Sequence, residues 1–391
     1  MASRSIEETL SLNAATVLLQ PRSDLVVETV VATGARTTYQ QEVGPFARYE
    51  RTAWIEGPDV SDGEELVQYR EITDFRMAIP VWGRGVDLLM KRALGDLDRQ
   101  PRARWWWPAE VVTSNTTQII ALLSLLGMIG AFIGVNIGQT ITFAAAEFGS
   151  AKSSQANALA ATRAGVIITT LVIWKADRIG RKPLLIAFSF GASVFTVIGA
   201  FSTSLVMLTI TQAIGRGFAT GLLTLVTLAA TEEIPKTMRS FILSILTLCG
   251  ALGAGAVLWV LPLADVNERG WRLVYLVPLL FLPVILWIWR VMPETRRFAA
   301  ADRVHAPGFG SIKKRWFFLI VFIYSAVSMF GAPAAQLQNE YLRDDLGFSA
   351  ADISQFRILI TTPAGLVILL AGWIADRKGR RSIAAFSMAV G

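Results

Sequence analysis

Charge is scarce in this chain of 391 residues: only 17% are Asp, Glu, Lys or Arg, against about 25% in an ordinary soluble domain. Cysteine is almost absent. Cys249 stands alone inside an apolar run, which excludes an intrachain disulfide. His305 is the one histidine, in a polar loop beside Pro307 and Gly308, where it reads as a solvated loop residue. No histidine–cysteine cluster is available for zinc, and no G-x-x-x-x-G-K-[ST] stretch is present to cradle phosphate, which removes support for an ATP-driven pump. No constellation for nucleophilic or acid–base catalysis stands out, so an enzyme is not expected, and no cofactor is implied. The first thirty residues hold Glu7, Glu8, Arg22 and Asp24 and no continuous apolar core. A cleavable signal peptide is therefore not expected, and the first spanning helix is left as the targeting signal.

What is present in abundance is apolar: 53% of the residues, with a mean hydropathy of +0.48. The apolar runs are 119–145, 158–174, 184–201, 205–230, 241–263, 273–292, 316–335 and 356–375. Each approaches the roughly 20 residues that cross a bilayer as a helix, and lipid offers backbone groups no other partner. A ninth run begins at Ile383, and the nine residues from there to Gly391 would cover only about 13 Å as helix. The pattern predicts an all-α polytopic membrane protein behind a soluble segment, divided as 1–108, a first six-helix bundle at 109–298, and a partial second bundle at 299–391. It also reads as a fragment, or a truncated relative, of a longer protein.

The formal charge of +7 does not point to nucleic acid, because the cations gather in short loops between apolar runs. Lys175, Arg178, Arg181 and Lys182, then Lys236 and Arg239, then Arg290 to Arg315, then Arg377 to Arg381, all follow even-numbered runs. The opposite loops carry little beyond Lys152, Arg269, Arg272 and Arg343. This asymmetry predicts a cytoplasmic N-terminus in the inner or plasma membrane. The expected surroundings are lipid and a small-molecule solute, with the protein a monomer.

The first hundred residues read differently. The stretches 24–31, 36–43, 47–56 and 66–75 are short, β-branched or aromatic and partly alternating, as strands are. "GVDLLMKRALGDL" (85–97) looks like an amphipathic helix, and "RQPRARWWWP" (99–108) suits the headgroup region of a bilayer. A small α+β appendage is expected.

Two stretches repeat: "ADRIGRKP" (176–183) and "ADRKGRRS" (375–382). Gly180 and Gly379 allow a sharp turn. The aspartates, Asp177 and Asp376, would sit at helix C-termini, where the helix dipole disfavours them. A carboxylate there is better placed against a cation or another helix's N-terminus, which makes each a candidate latch. Six apolar runs separate the copies, as in a duplicated six-helix unit, a transporter architecture.

These residues resemble the major facilitator superfamily, whose pattern between helices 2 and 3 is G-x-x-x-D-[RK]-x-G-[RK]-[RK]. The second copy fits throughout with Gly372, Asp376, Arg377, Gly379, Arg380 and Arg381. The first has Ile173 at the leading glycine and then Asp177, Arg178, Gly180, Arg181 and Lys182. "TEEIPKTMRS" (231–240), with Glu232 and Arg239, is similar to the family's E-x-x-P-x-x-x-R segment, most often met in sugar and organic-ion porters. "MPETRRF" (292–298), with Glu294 and Arg297, is similar to its P-E-[ST]-x-R segment. The resemblance covers roughly 115–391. It implies two bundles rocking about a central cavity, with these residues as a cytoplasmic gate. It also implies that Asp376 meets the start of helix 5 near Arg239.

Polar residues inside the runs are candidates for solute contact. Asn136, Gln139 and Thr140 share one face of helix 1; they could line a cavity or join helices by hydrogen bonds. Gln212 and Arg216 in helix 4 are the next candidates, since a guanidinium there must face the bundle interior or water. Arg163 and Arg357, near helix ends, are expected to snorkel. No carboxylate lies deep in a helix, so proton or other-ion coupling is left open. The helix 5 antiporter run and the helix 7 sugar-porter run of the family are both missing. The leading expectation is a secondary active or facilitative transporter of a small polar or anionic organic solute. The alternative is a non-transporting membrane receptor that uses the same body and reports through the N-terminal segment.

Overall fold

The computed structural model describes residues 2–61, 64–97, 110–167, 169, 179–293 and 314–390. They form two compact units. The first comprises Met1–Leu122, Ile234–Ile242 and Ala375–Gly391; the second comprises Leu123–Glu233 and Leu243–Ile374.

The first unit begins with a sheet. Strands β1 (Ala2–Ser11), β2 (Val27–Ala32), β3 (Thr37–Val43), β4 (Phe46–Ser61) and β5 (Glu64–Met77) pair antiparallel in the order β1-β5-β4-β3-β2. Helix α1 (Leu12–Leu18) follows β1, and α2 (Gly83–Leu94) follows β5. The four strand-like stretches of the sequence correspond to β2 to β5. Strand β1 has no such signal: its sequence is polar and mostly exposed. It is held by an unbroken ladder to β5, from Ala2 opposite Phe75 to Ser11 opposite Leu66. Backbone pairing, with little side-chain burial, makes it an edge strand.

Phe46, Tyr49, Phe75, Met90 and Leu94 form one core cluster of this sheet, and Ala15, Tyr39, Ala53 and Tyr69 another. A buried ion network accompanies them. Arg51 donates from Nη2 and Nε to Glu28 at 2.7 and 2.8 Å and from Nη1 to Glu71 at 3.3 Å. Its remaining N–H groups reach the carbonyls of Leu18 and Gln20, capping the end of α1. Tyr49 also donates to Glu28, at 2.6 Å. Burial alone would lower the Arg51 pKa, but the hydrogen bond and charge of Glu28 and the charge of Glu71 raise it above the usual value. Burial likewise disfavours the Asp24 carboxylate, and the neighbouring Arg22 guanidinium more than reverses this, leaving Asp24 below its usual range.

Among the described residues the remaining α-helices are α3 (Ser114–Glu147), α4 (Lys152–Thr162), α5 (Arg181–Gly199), α6 (Leu205–Glu233), α7 (Arg239–Val260), α8 (Trp271–Val291), α9 (Lys314–Glu340), α10 (Ala350–Lys378) and α11 (Arg380–Val390). Helix α8 tightens to a 3₁₀ turn at Val277–Leu280, where Pro278 removes a backbone donor. Among the described residues, five helical stretches are long and apolar enough to cross a membrane: α3, α5, α6, Lys236–Asp265 and α8.

Polarity in the second unit runs opposite to that of a soluble protein. Phe201, Ile210, Trp259, Leu280 and Trp289 are exposed, whereas Asn136, Ser189, Ser193, Thr196 and Gln212 are buried. That inversion is what lipid requires of a helical bundle. Small residues bring the helices together. On α5, Ser189, Ser193 and Thr196 return their hydroxyls to carbonyls of their own helix. Thr196 then lies where a Cβ on Gly215 of α6 would come within 3.1 Å. At Gly253 of α7 an added Cβ would fall against the Met128 backbone of α3, whereas at Gly250 it would meet only the Ala131 methyl, at 4.0 Å. Gly253→Ala is therefore expected to destabilise the bundle by about 1–3 kcal/mol through overpacking. Gly250→Ala should be close to neutral. Thermal unfolding in detergent separates the two, and equal midpoints would show that α3 and α7 do not touch at Gly253.

Candidate functional site

One end of the helices carries the basic loops. Here Gly180 and Gly379 adopt the same backbone conformation, each with φ of +97°. Side chains rarely enter that region, so both copies of the repeated motif turn on a residue that only glycine suits. After the first turn, Arg181 is buried and pairs with Glu232 at the end of α6, at 2.8 and 3.2 Å. Lys182 is half-buried beside it. After the second turn, Arg381 is exposed, as is Arg377 before it.

Asp376, in the last turn of α10, accepts hydrogen bonds from the backbone N–H groups of Ser240 (3.2 Å) and Phe241 (2.7 Å). These belong to the first turn of α7, which Arg239 opens. A helix start has four N–H groups without intrahelical partners and the positive end of the dipole. The carboxylate disfavoured at the end of its own helix is thus stabilised at the start of another. Gly372 is buried one turn earlier. Asp177, Arg178, Glu294, Arg297 and the side chain of Arg380 lie outside the described residues.

The opposite end holds a second arrangement of this kind. Asp265, just past α7, accepts from the backbone N–H groups of Ala350 (3.2 Å) and Ala351 (3.1 Å), the start of α10. Helices α7 and α10 are therefore joined reciprocally. A carboxylate following α7 caps α10 at one end, and a carboxylate closing α10 caps α7 at the other.

Near Asp265's end, Lys152 at the start of α4 pairs with Asp344 (3.0 Å) and Glu340 (3.5 Å). Glu147 accepts from Arg272 (2.9 Å) and from the indole of Trp271 (2.7 Å). Further along the helices, the Gln139 side-chain oxygen accepts from Asn339 (2.8 Å) and Arg357 (2.9 Å), and Arg357 also donates to Gln338 (2.6 Å). Arg357 therefore does not snorkel. Its guanidinium, always charged, is held by side-chain amides on α3 and α9. The sequence signal is the pairing of an arginine inside an apolar run with the amide run Gln338–Asn339. Neither is persuasive alone.

The candidate solute residues separate into three groups. Gln139 belongs to the network just described. Asn136 and Thr140 face the interior of the bundle, fully buried. The Thr140 hydroxyl contacts the Asn136 carbonyl and the Tyr275 hydroxyl, at 2.9 and 2.8 Å. Neither polar atom of the Asn136 amide has a hydrogen-bond partner among the described residues, nor has Nε2 of Gln212. Gln212 packs its amide against Gly199, which borders Tyr275. Arg216, one turn along α6, is half-buried. Among the described residues no ion pair includes it. Tyr275, Asp265 and Lys152 also carry these contacts, and the sequence alone gives none of them a partner.

Comparison with known proteins supplies a frame. A family model described as Major Facilitator Superfamily matches residues 114–391. No curated protein matches the sequence. Among solved structures, the chain is similar to the proton:xylose symporter XylE bound to 6-bromo-6-deoxy-D-glucose, at 19% identity and a TM-score of 0.44, over 49% of this chain and 47% of that one. It is similar also to a bacterial homolog of the human lysosomal transporter Spinster, inward-facing and unoccupied, at 17% identity and a TM-score of 0.47, over 66% and 60%. The chain thus spans about half the length of the symporter.

Proposed function

The chain belongs to the Major Facilitator Superfamily, a family of multi-pass membrane transporters, through residues 114–391, and on that premise we propose that it serves secondary active or facilitative transport of a small polar or anionic organic solute by alternating access. The observation that carries this reading is the reciprocal capping of α7 and α10 by Asp376 and Asp265. A helix pair fastened at both ends by single carboxylates has two contacts that can open in turn, as alternating access requires. The basic end is assigned to the cytoplasm of the plasma or inner membrane by its excess of lysine and arginine. Asp177, Arg178, Gly180, Arg181, Lys182, Glu232, Arg239, Glu294, Arg297, Gly372, Asp376, Arg377, Gly379, Arg380 and Arg381 make up that gate. Asp265 and Lys152, with the Asp344 and Glu340 partners of Lys152, make up the opposing one.

Arg216, with Gln212, Asn136, Gln139 and Thr140, is assigned to solute contact. A half-buried guanidinium with no ion pair among the described residues favours an anion, and buried amides without partners among those residues favour hydrogen-bonding groups. Counterflow in proteoliposomes with a panel of carboxylates, phosphates and neutral polyols tests this. Arg216→Ala is expected to raise the half-saturating concentration of an anionic solute by about 10- to 100-fold, the value of a hydrogen bond to a charged group. Neutral solutes should be less affected. Unchanged kinetics in Arg216→Ala and Asn136→Ala would remove the solute assignment.

A further inference from the structure

Helix α2 of the N-terminal sheet is apolar on two sides. Met90, Ala93 and Leu94 are buried in the core. On the far side Leu88 is 69% exposed and Leu89 55% exposed, and just before the helix Val81 and Trp82 are 66% and 50% exposed. Val81 has φ of +68°, a conformation that β-branched residues avoid. Arg84, Leu88 and Arg92 follow one another at four-residue spacing, so they form a single ridge with Leu89 beside it. A solvent-facing helix surface does not need two leucines and a tryptophan interleaved with arginines. That composition matches the boundary between acyl chains and anionic headgroups, where tryptophan and leucine insert and arginine meets phosphate.

The chain also brings this helix to such a surface. Between α2 and the membrane-crossing α3, the sequence places Arg99, Arg102, Arg104 and Trp105 to Trp107. A tether of this length keeps the sheet near the bilayer that α3 enters, so weak docking suffices. We propose that the Val81–Trp82–Arg84–Leu88–Leu89–Arg92 face of α2 is a membrane-docking surface. Through it the N-terminal sheet lies on the anionic leaflet that α3 enters.

The test uses the full chain with Cys249→Ser, reconstituted into vesicles of phosphatidylcholine with or without phosphatidylglycerol. An environment-sensitive fluorophore is placed at Leu88→Cys or Leu89→Cys, and at Gln68→Cys on an exposed strand position as control. Docking predicts quenching by lipids brominated on their acyl chains at 88 and 89, strengthened by phosphatidylglycerol, with aqueous iodide quenching only at 68. Arg84→Gln and Arg92→Gln should each lower the docked population by about fivefold in anionic vesicles. Iodide quenching at 88 as strong as at 68 in both vesicles would overturn the proposal. So would protection from iodide without quenching by brominated lipid, since a protein would then cover the face. Lipid quenching indifferent to phosphatidylglycerol and to both arginines would overturn the role of anionic headgroups. None of these outcomes depends on whether the chain transports a solute.

Discussion

Glu28→Ala is expected to open the N-terminal sheet under conditions in which the native sheet persists. Glu28 accepts from Arg51 through two nitrogens and from the Tyr49 hydroxyl, and both charged side chains are fully buried. Removing the carboxylate leaves the Arg51 guanidinium in the core with Glu71 as its remaining counter-charge, beside the Tyr69 hydroxyl, the Tyr39 ring and backbone carbonyls. Breaking a buried pair in this way costs about 3–5 kcal/mol, against about 5–15 kcal/mol for the whole stability of a domain. Hydrogen exchange in the full chain should show faster exchange through β3, β4 and β5 and unchanged exchange in α5 to α8. The control is Glu7→Ala, which breaks an ion pair with Arg70 on the sheet surface. Exposed pairs contribute little, so it should leave exchange nearly unaltered. The same exchange in both variants would mean that the Arg51 network does not hold the sheet. Replacing both partners with apolar residues of similar size should recover part of the loss, because the Arg51 charge is gone and Glu71 keeps only the longer pairing with Arg22, at 3.8 Å.

The second large effect concerns the two caps. Asp376→Asn and Asp265→Asn preserve shape and remove charge from the starts of α7 and α10, respectively. A hydrogen bond to a charged group contributes about 1.5–3 kcal/mol, and charge at a helix end adds about 0.3–1 kcal/mol. Asparagine retains some of the first and none of the second. Each variant should therefore shift the balance between open and closed by about 10-fold or more at its own end. With Cys249→Ser as background, thiol labelling at Ala375→Cys should accelerate in Asp376→Asn, and labelling at Ser354→Cys should accelerate in Asp265→Asn. Both positions are buried in the native chain. Each site should slow, or stay unchanged, in the other variant. Acceleration at both sites in either variant would indicate general loosening of the bundle.

Much of the helical body is legible in the sequence because apolar runs near twenty residues have one outcome in lipid. What escapes such a reading does so for physical causes. The run at 273–292 carries no sign that Pro278 tightens α8 locally. Strand β1 is invisible because its partner, β5, lies more than fifty residues away and supplies backbone bonds, not an apolar face. The same holds for the site. Asp376 stands out because its motif occurs twice, and an acid at a helix end needs an outside partner. Asp265 follows α7 in the same way but belongs to no repeated motif. Its partner, the start of α10 some 85 positions on, is set by tertiary packing alone. Arg357 departs from expectation because snorkelling is the default for a lone arginine near a helix end. The amides that hold it come from two other helices.

The most direct test of the account is a pair of spin-label distances in the reconstituted full chain. One pair spans the basic end, at Thr237→Cys and Arg381→Cys; the other spans the opposite end, at Glu268→Cys and Asp345→Cys. Asp376→Asn should lengthen the first distance and leave the second at its native value, and Asp265→Asn should do the reverse. If both distances lengthen together in either variant, or neither changes in both, then α7 and α10 are not gated at alternate ends by their two carboxylates.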